Sequence, residues 1–306
     1  MAWKSPSPER PPLPAELIRE IRQLHFQTRK HVDEGVVGRY RSAFRGTGME
    51  FEEVREYLPG DDIRRIDWKV TARSGRPFVK SYREERELIV MLAVDLSAST
   101  HTATRGQTRA KVLARVGAAL TMIALRNSDK VGLVTFSDKI DSYYPARKAR
   151  GSVWRILHEV LAERDFSHKG TNYEEVFSFI QNVLKRRAIV FLLTDGLGKL
   201  NNPALRSLAG RHDLTVVTVR DPADLTLPKA GLVRLTDPES GETQLIDTSN
   251  REVRERYELS AGKAAIETAS YLNRYGAELL TVWTNKPFGA ALRVYFEQRV
   301  RRKRTS

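Results

Sequence analysis

The sequence predicts a doubly wound α/β fold: a Rossmann-like, mostly parallel sheet with helices on both faces, preceded by an N-terminal extension. Three observations predict it. The near-continuous apolar runs LIVMLAVD (88–95) and AIVFLLTD (188–195) have the length and β-branched content of strands buried on both faces. Segments with helical apolar spacing alternate with such runs, the order that builds a parallel sheet. At 306 residues, 41% hydrophobic and 29% charged, the chain can bury a core without staples and is not mainly disordered.

Residues 1–13 are rich in Pro and Ser and read as disordered. From Pro14 to about Lys30, Leu17, Ile18, Ile21, Leu24 and Phe26 recur near helical spacing and predict an amphipathic helix. The stretch Gly35 to Glu87 is polar, Arg-rich and punctuated by glycine. Pro59-Gly60 predicts a turn there. Asp61 or Asp62 then caps a short helix, IRRIDWKVTAR, with Ile63, Ile66 and Val70 on one face. Residues 14–87 are accordingly read as an extension and 88–306 as the α/β domain.

Within that domain, strand 88–95 is followed by a helix over 108–127 with Val112, Val116, Leu120 and Ile123 on one side. Strand KVGLVTFS (130–137), a short segment around Tyr143 and Tyr144, and helices over 151–163 and 173–186 come next. Strand 188–195, a short helix over 202–211 and strand 213–221 continue the alternation. Residues 231–248 form a hairpin around Pro238-Glu239-Ser240-Gly241. A long helix (250–275), strand AELLTVWT (277–284) and a terminal helix end the chain.

Composition excludes several functions. With no cysteine, thiolate catalysis, disulfides and zinc–cysteine sites are out. The longest apolar runs fall far short of the ~18 residues of a membrane helix, and the N-terminus lacks the apolar core of a signal peptide, so the expectation is a cytoplasmic protein without a transmembrane segment. The six histidines show no metal spacing, and no G-x-S-x-G elbow surrounds a serine. Gly46-x-Gly48 lacks the third glycine of a dinucleotide loop. The net charge of +14 favours acidic partners, and the basic end, Arg299-Val300-Arg301-Arg302-Lys303-Arg304, keeps nucleic-acid binding as the alternative function.

In doubly wound sheets ligands bind beyond the carboxyl ends of the strands. The first central strand ends in Asp95-Leu96-Ser97-Ala98-Ser99, strand 188–195 ends in Thr194-Asp195-Gly196, and Gly170-Thr171-Asn172 precedes a helix between them. Carboxylates and hydroxyls on three such loops form the oxygen-rich set that hard cations such as Mg²⁺ take. The bland alternative has Ser97 and Ser99 capping a helix and Asp195 closing a turn.

D-x-S-x-S, Gly-Thr-Asn and Thr-Asp-Gly together resemble the metal-ion-dependent adhesion site (MIDAS) of von Willebrand factor type A domains, and KVGLVTFSD is similar to their second strand. The resemblance covers roughly 88–220. It implies Mg²⁺, with Mn²⁺ or Ca²⁺ as substitutes, bound by Ser97, Ser99 and Thr171 directly or through water and by Asp95 and Asp195 mainly through water. It further implies a non-catalytic domain whose ion accepts an acidic residue from a protein partner.

A second resemblance lies upstream. Gly46-Thr47-Gly48-Met49-Glu50-Phe51, then Arg55-Glu56-Tyr57-Leu58-Pro59-Gly60-Asp61-Asp62-Ile63-Arg64-Arg65-Ile66-Asp67-Trp68, then Thr71-Ala72-Arg73, resemble the signature of the bacterial family catalogued as domain of unknown function 58. Members of that family resemble partners of MoxR-type AAA+ ATPases acting in protein assembly or maturation, so such an ATPase or its client is the expected partner. Many members carry N-terminal membrane helices, from which this chain departs. Glu50, Arg55, Asp61, Asp62, Arg64, Asp67 and Arg73 are expected to form an ion-paired network packing the extension onto the sheet, with Trp68 as anchor. The same signature, with Tyr57 and Gly60, could instead form a docking face.

Overall fold

Five parallel strands and one antiparallel edge strand make a sheet whose central ladder is sealed from water on both faces. The computed structural model describes residues 19, 32–44, 50–83, 88–102, 107–148, 151–161, 170–196, 202–237 and 240–305. The disorder expected over 1–13 and the helix expected over 14–30 fall outside them, Arg19 excepted. The chain divides into two compact units, one of residues 44–87 and a larger one of 1–43 with 88–306.

The larger unit centres on β3 (Ile89–Asp95), whose residues from Val90 to Val94 are fully buried. It pairs in parallel with β4 (Lys130–Phe136) on one side and β6 (Ile189–Thr194) on the other. Beyond β6 lie β7 (Asp213–Arg220) and β10 (Glu278–Trp283), also parallel. The order β10-β7-β6-β3-β4-β5 closes with β5 (Ile140–Arg147), which runs antiparallel to β4. The sequence marked only a short segment around Tyr143 and Tyr144. The reason is burial: β5 sits at an edge, alternates half-exposed residues and carries Pro145, so it lacks the apolar run of a central strand. The hairpin expected over 231–248 is β8 (Leu232–Thr236) against β9 (Thr243–Asp247).

Helices form where caps and apolar stripes coincide. Helix α3 (Arg109–Arg126) starts at Thr108, whose hydroxyl accepts from Lys111 N at 3.3 Å, and it is buried on most of its circumference. Gly117 lets it approach its neighbours, since a Cβ there would stand 3.2 Å from Ile156 on α4 (Ser152–Leu161) and 3.4 Å from Leu193 on β6. Asn172, Asn202 and Asn250 cap α5 (Tyr173–Val183), α6 (Pro203–Arg211) and α7 (Arg251–Arg274). The last helix is α8 (Phe288–Thr305). Among the described residues no helix is long and apolar enough to cross a membrane.

The segment read as one extension is divided between the units. Helix α1 (Glu34–Phe44) belongs up to Ala43 with the sheet, because Val32, Val36, Tyr40 and Ala43 repeat at helical spacing and are all buried. Tyr40 packs edge-on against Phe296 with centroids 5.6 Å apart and donates to Asp129 Oδ2 at 2.9 Å. Asp129 also accepts from Leu88 N at 3.0 Å. At the same end of the sheet the buried Arg299 pairs with Asp213 and, at 2.6 Å, with Glu278, while its Nε donates to Ala43 O. A buried Arg whose donors are all engaged can repay its desolvation.

The smaller unit is an antiparallel pair, β1 (Glu50–Glu56) with β2 (Phe78–Arg83), and the segment joining them. The expected single helix IRRIDWKVTAR is two pieces. Asp62 caps a 3-10 turn (Ile63–Arg65), and Ile66 then turns extended to bridge Val79. Asp67 restarts the chain as α2 (Trp68–Ser74) by accepting from Lys69 N and Val70 N. A second N-cap residue inside an apolar repeat is a stop as well as a start.

One glycine carries a packing test. The β4–β5 register shifts between Val131 and Leu133, and a Cβ on Gly132 would stand 2.7 Å from Met91 Cε and 3.0 Å from both Ala146 N and Tyr144 O. Gly132→Ala should therefore lose about 1–3 kcal/mol through overpacking. The urea midpoint should fall with the helical circular dichroism unchanged; an unchanged midpoint would show that β5 is free to give way.

Candidate functional site

The sheet order places the site. The chain leaves β3 for β4 on one side and later returns with β6 on the other, so a crevice opens where β3 and β6 end side by side. Asp95 is the last residue of β3, and Asp195 follows the last residue of β6. The loop before α5 reaches the same rim because Asn172 N donates to Ser137 O, just past β4, at 2.8 Å.

Asp95 is wholly buried, and its carboxylate gathers the loops. Oδ1 accepts from Ser97 N at 2.9 Å. Oδ2 accepts from Thr194 Oγ1 at 2.7 Å and from Thr171 Oγ1 at 3.5 Å. Tyr173 Oη lies 3.4 Å from the same oxygen and 2.7 Å from Thr194 Oγ1, and donates to Gly196 O at 2.7 Å. An isolated buried carboxylate would be costly; here each oxygen is satisfied, and the donors belong to three separate segments.

The remaining expected residues meet beside it. Ser99 Oγ donates to Asp195 Oδ1 at 3.0 Å, and Ser97 Oγ stands 3.1 Å from Ser99 Oγ. Ser97 occupies the N-cap of a 3-10 turn (Ala98–His101), yet its side chain makes no capping bond. The capping alternative therefore fails for Ser97: its hydroxyl faces the cluster. All five residues, Asp95, Ser97, Ser99, Thr171 and Asp195, are linked into one group.

Electrostatically the group is loaded with negative charge. Burial, and then the nearby Asp95 carboxylate, push the Asp195 carboxyl from its ordinary 3.8 up to about 7, against the opposing pull of Arg109 and the Ser99 hydrogen bond. Arg109, the first residue of α3, lies with Nη1 3.8 Å from Asp195 Oδ2 and Nη2 2.5 Å from Asp224 Oδ1. Nothing in the sequence pattern marked Arg109 or Asp224, which are 115 residues apart, nor the Tyr173 hydroxyl, while Thr194 stood in the Thr-Asp-Gly motif with no role assigned to it. Tyr173 could have been noticed as the residue after Gly-Thr-Asn; Arg109 and Asp224 have no local signal.

The donor set fits a hard divalent cation. It offers two carboxylates and three hydroxyls, all oxygen. Among the described residues no group of three His, Cys, Asp or Glu is placed to hold a metal, at this rim or elsewhere.

The upstream signature serves local ends within its own unit. Arg55 grips Asp61 with both arms, at 2.6 and 2.8 Å, and Asp61 also accepts from Leu58 N. The Arg55 guanidinium and that amide hold the Asp61 carboxyl below its ordinary value. Gly60 takes φ +107 in the turn, and Tyr57 N donates to Pro77 O. Asp62 and Asp67 cap the 3-10 turn and α2 through their side chains. Trp68 is 69% exposed, so the expected anchor is not one within its unit. Arg64 and Arg73 are exposed as well, and Glu50 opens β1.

Comparison with known proteins agrees with the upstream signature. Residues 53–266, more than two thirds of the chain, match the family described as "Protein of unknown function DUF58", and the chain belongs to that family. It is 28% identical over 274 residues to the uncharacterized protein Rv1480 of Mycobacterium tuberculosis, covering 89% of this chain and 86% of that one. The uncharacterized protein MAV169 of Mycobacterium avium is 30% identical over 118 residues, 38% of this chain and 69% of its own. Among solved structures, BatB from Bacteroides thetaiotaomicron is similar over 72% of this chain and all of its own at 14% identity and TM-score 0.41. The SpRpn10 VWA domain is similar over 68% of this chain and 94% of its own at 13% identity and TM-score 0.39. The fold described here rests on strand order and register.

The raised Asp195 carboxyl has a measurable sign. A carboxyl that holds its proton more tightly folded than unfolded weakens the folded state as pH rises from about 4 to about 7, and the loss is complete above that. In EDTA, Asp195→Asn should therefore gain stability over wild type at pH 8 compared with pH 5, read as the gap between urea midpoints. Equal gaps at the two pH values would remove the carboxylate pair as the cause.

Proposed function

We propose that this DUF58-family chain is a non-catalytic, metal-dependent protein-interaction module whose docking point is the rim formed by Asp95, Ser97, Ser99, Thr171 and Asp195. The observation that carries the reading is the convergence of three loops, distant in sequence, on one hydrogen-bonded oxygen cluster. Ser97, Ser99 and Thr171 would hold Mg²⁺ directly or through water, with Asp95 and Asp195 acting mainly through water. When bound, the ion supplies an open coordination position for a carboxylate from a partner protein.

The chain's own residues prepare that encounter. Asp95, fixed by Ser97 N and Thr194, orients the rim and does not swing. Tyr173 ties the loop after β6 to the start of α5, beside Thr171 and Asp195. The surplus of 52 basic over 38 acidic residues steers acidic surfaces toward the molecule. The Asp195 shift comes first from burial and then from the neighbouring Asp95 carboxylate. On the family resemblance, the partner is a MoxR-type AAA+ ATPase or the client it remodels.

The first test is calorimetric titration with Mg²⁺. Wild type should bind one ion, and Ser97→Ala and Asp95→Ala should bind at least about tenfold more weakly, a loss of ~1.4 kcal/mol or more. Ser97→Ala should keep the wild-type circular dichroism and melting point in EDTA. Pull-down with a purified MoxR-type ATPase, nuclease added, should then need Mg²⁺ and fail with Ser97→Ala. Equal Mg²⁺ affinity in wild type and variants sinks the metal-dependent reading.

A further inference from the structure

A second cation already stands at this rim. Arg109 is fixed by position, as the first residue of α3, with its side chain 15% exposed. Its guanidinium reaches toward two carboxylates from different loops. Asp224 is bound at 2.5 Å, whereas Asp195 is approached only to 3.8 Å. Nη1 spends itself instead on Ser99 O at 3.3 Å and on the Thr102 hydroxyl. Nε is buried and donates to nothing among the described residues. The guanidinium is thus held off Asp195, leaning the other way.

Asp224 can do this because it is itself immobilised. Its Oδ2 accepts from Asp221 N at 2.7 Å, and Asp221 Oδ1 accepts from Ala223 N at 3.0 Å, a reciprocal capping box around the turn Pro222–Asp224. Asp221 is held in turn by Thr284 Oγ1 at 2.7 Å, at the end of β10, and Tyr257 of α7 donates to Ala223 O at 3.0 Å. The seat is built by segments that contribute nothing to the oxygen cluster.

We propose that Arg109 is a tethered counter-cation that sets the affinity of the rim for a divalent ion, with Asp224 as the fixed seat that holds it off Asp195. The proposal rests on the metal-dependent reading above. A guanidinium and a dication cannot both neutralise Asp195 at close range, because their mutual repulsion rises as either approaches. With Asp224 pulling, the rim stays open to the ion. Without that pull, Arg109 closes on Asp195 and the ion must displace it. Arg109 is a positioning residue in this scheme, and the loop carrying Asp224 tunes metal affinity without touching metal.

The two halves of the device have opposite signs, which a merely structural role would not give. Mg²⁺ titrations of wild type, Arg109→Gln, Asp224→Asn and the double variant, at one pH and one ionic strength, read them directly. Arg109→Gln should bind about tenfold tighter or better, and Asp224→Asn at least about threefold weaker, with the double variant following Arg109→Gln. Arg109→Lys, which keeps the charge, should stay within about threefold of wild type. In EDTA, Arg109→Gln should melt below wild type, and Mg²⁺ should raise its melting point by more. If wild type binds Mg²⁺ but Arg109→Gln binds equally or more weakly, or if both single variants shift affinity the same way, the proposal is overturned and the metal site stands. If neither wild type nor Arg109→Gln binds Mg²⁺, the metal-dependent reading falls and the proposal with it.

Discussion

The buried carboxylate of Asp95 is the constraint on which the rest of the rim depends. A charge with no exposure to water must be surrounded by donors, and every donor it recruits fixes a further piece of chain. Ser97 N fixes the turn after β3, Thr194 fixes the end of β6, and Thr171 with Tyr173 fixes the entry to α5. The sheet brings these segments near one another, but the carboxylate decides their spacing. Asp95 can play this part because β3 is central, with β4 and β6 paired on either side of it.

The two ends of the sheet use buried arginine differently. At the end where the strands begin, Arg299 joins β7, β10 and α1, with Nε, Nη1 and Nη2 all engaged. At the end where the strands finish, Arg109 also spans two carboxylates, but one contact is loose and, among the described residues, one donor is unspent. A saturated arginine locks, whereas an unsaturated one retains a choice. The first end carries a closed ion cluster, and the second carries the oxygen cluster around Asp95.

Much of this was legible in the sequence. Strands buried on both faces advertise themselves by apolar runs, so β3, β6 and β7 lie within a residue or two of their expected limits. The five cluster residues were legible because each loop carries its donors at a fixed short spacing after a strand or before a helix. Other features left no such trace. Edge strand β5 is half exposed, α1 hides its buried stripe among Gly and Arg, and the Ile66 break depends on a bridge to Val79. Arg109 and Asp224 meet only because the loops after β3 and β7 share a rim, a relation no window along the chain contains.

The wide separation of the cluster residues has a consequence for when the site comes into being. Ser99 and Asp195 are 96 positions apart, and Asp95 and Thr171 are 76 apart, with β4, α5 and β6 folded between or beside them. Contacts so far apart in sequence carry a large loop-closure cost during folding. A chain still emerging from the ribosome can display Asp95-Leu96-Ser97-Ala98-Ser99 but has no rim. Any ligand of the rim therefore binds the completed sheet alone and draws the folding equilibrium toward it. A rim assembled from such distant segments exists only where the sheet between them is complete.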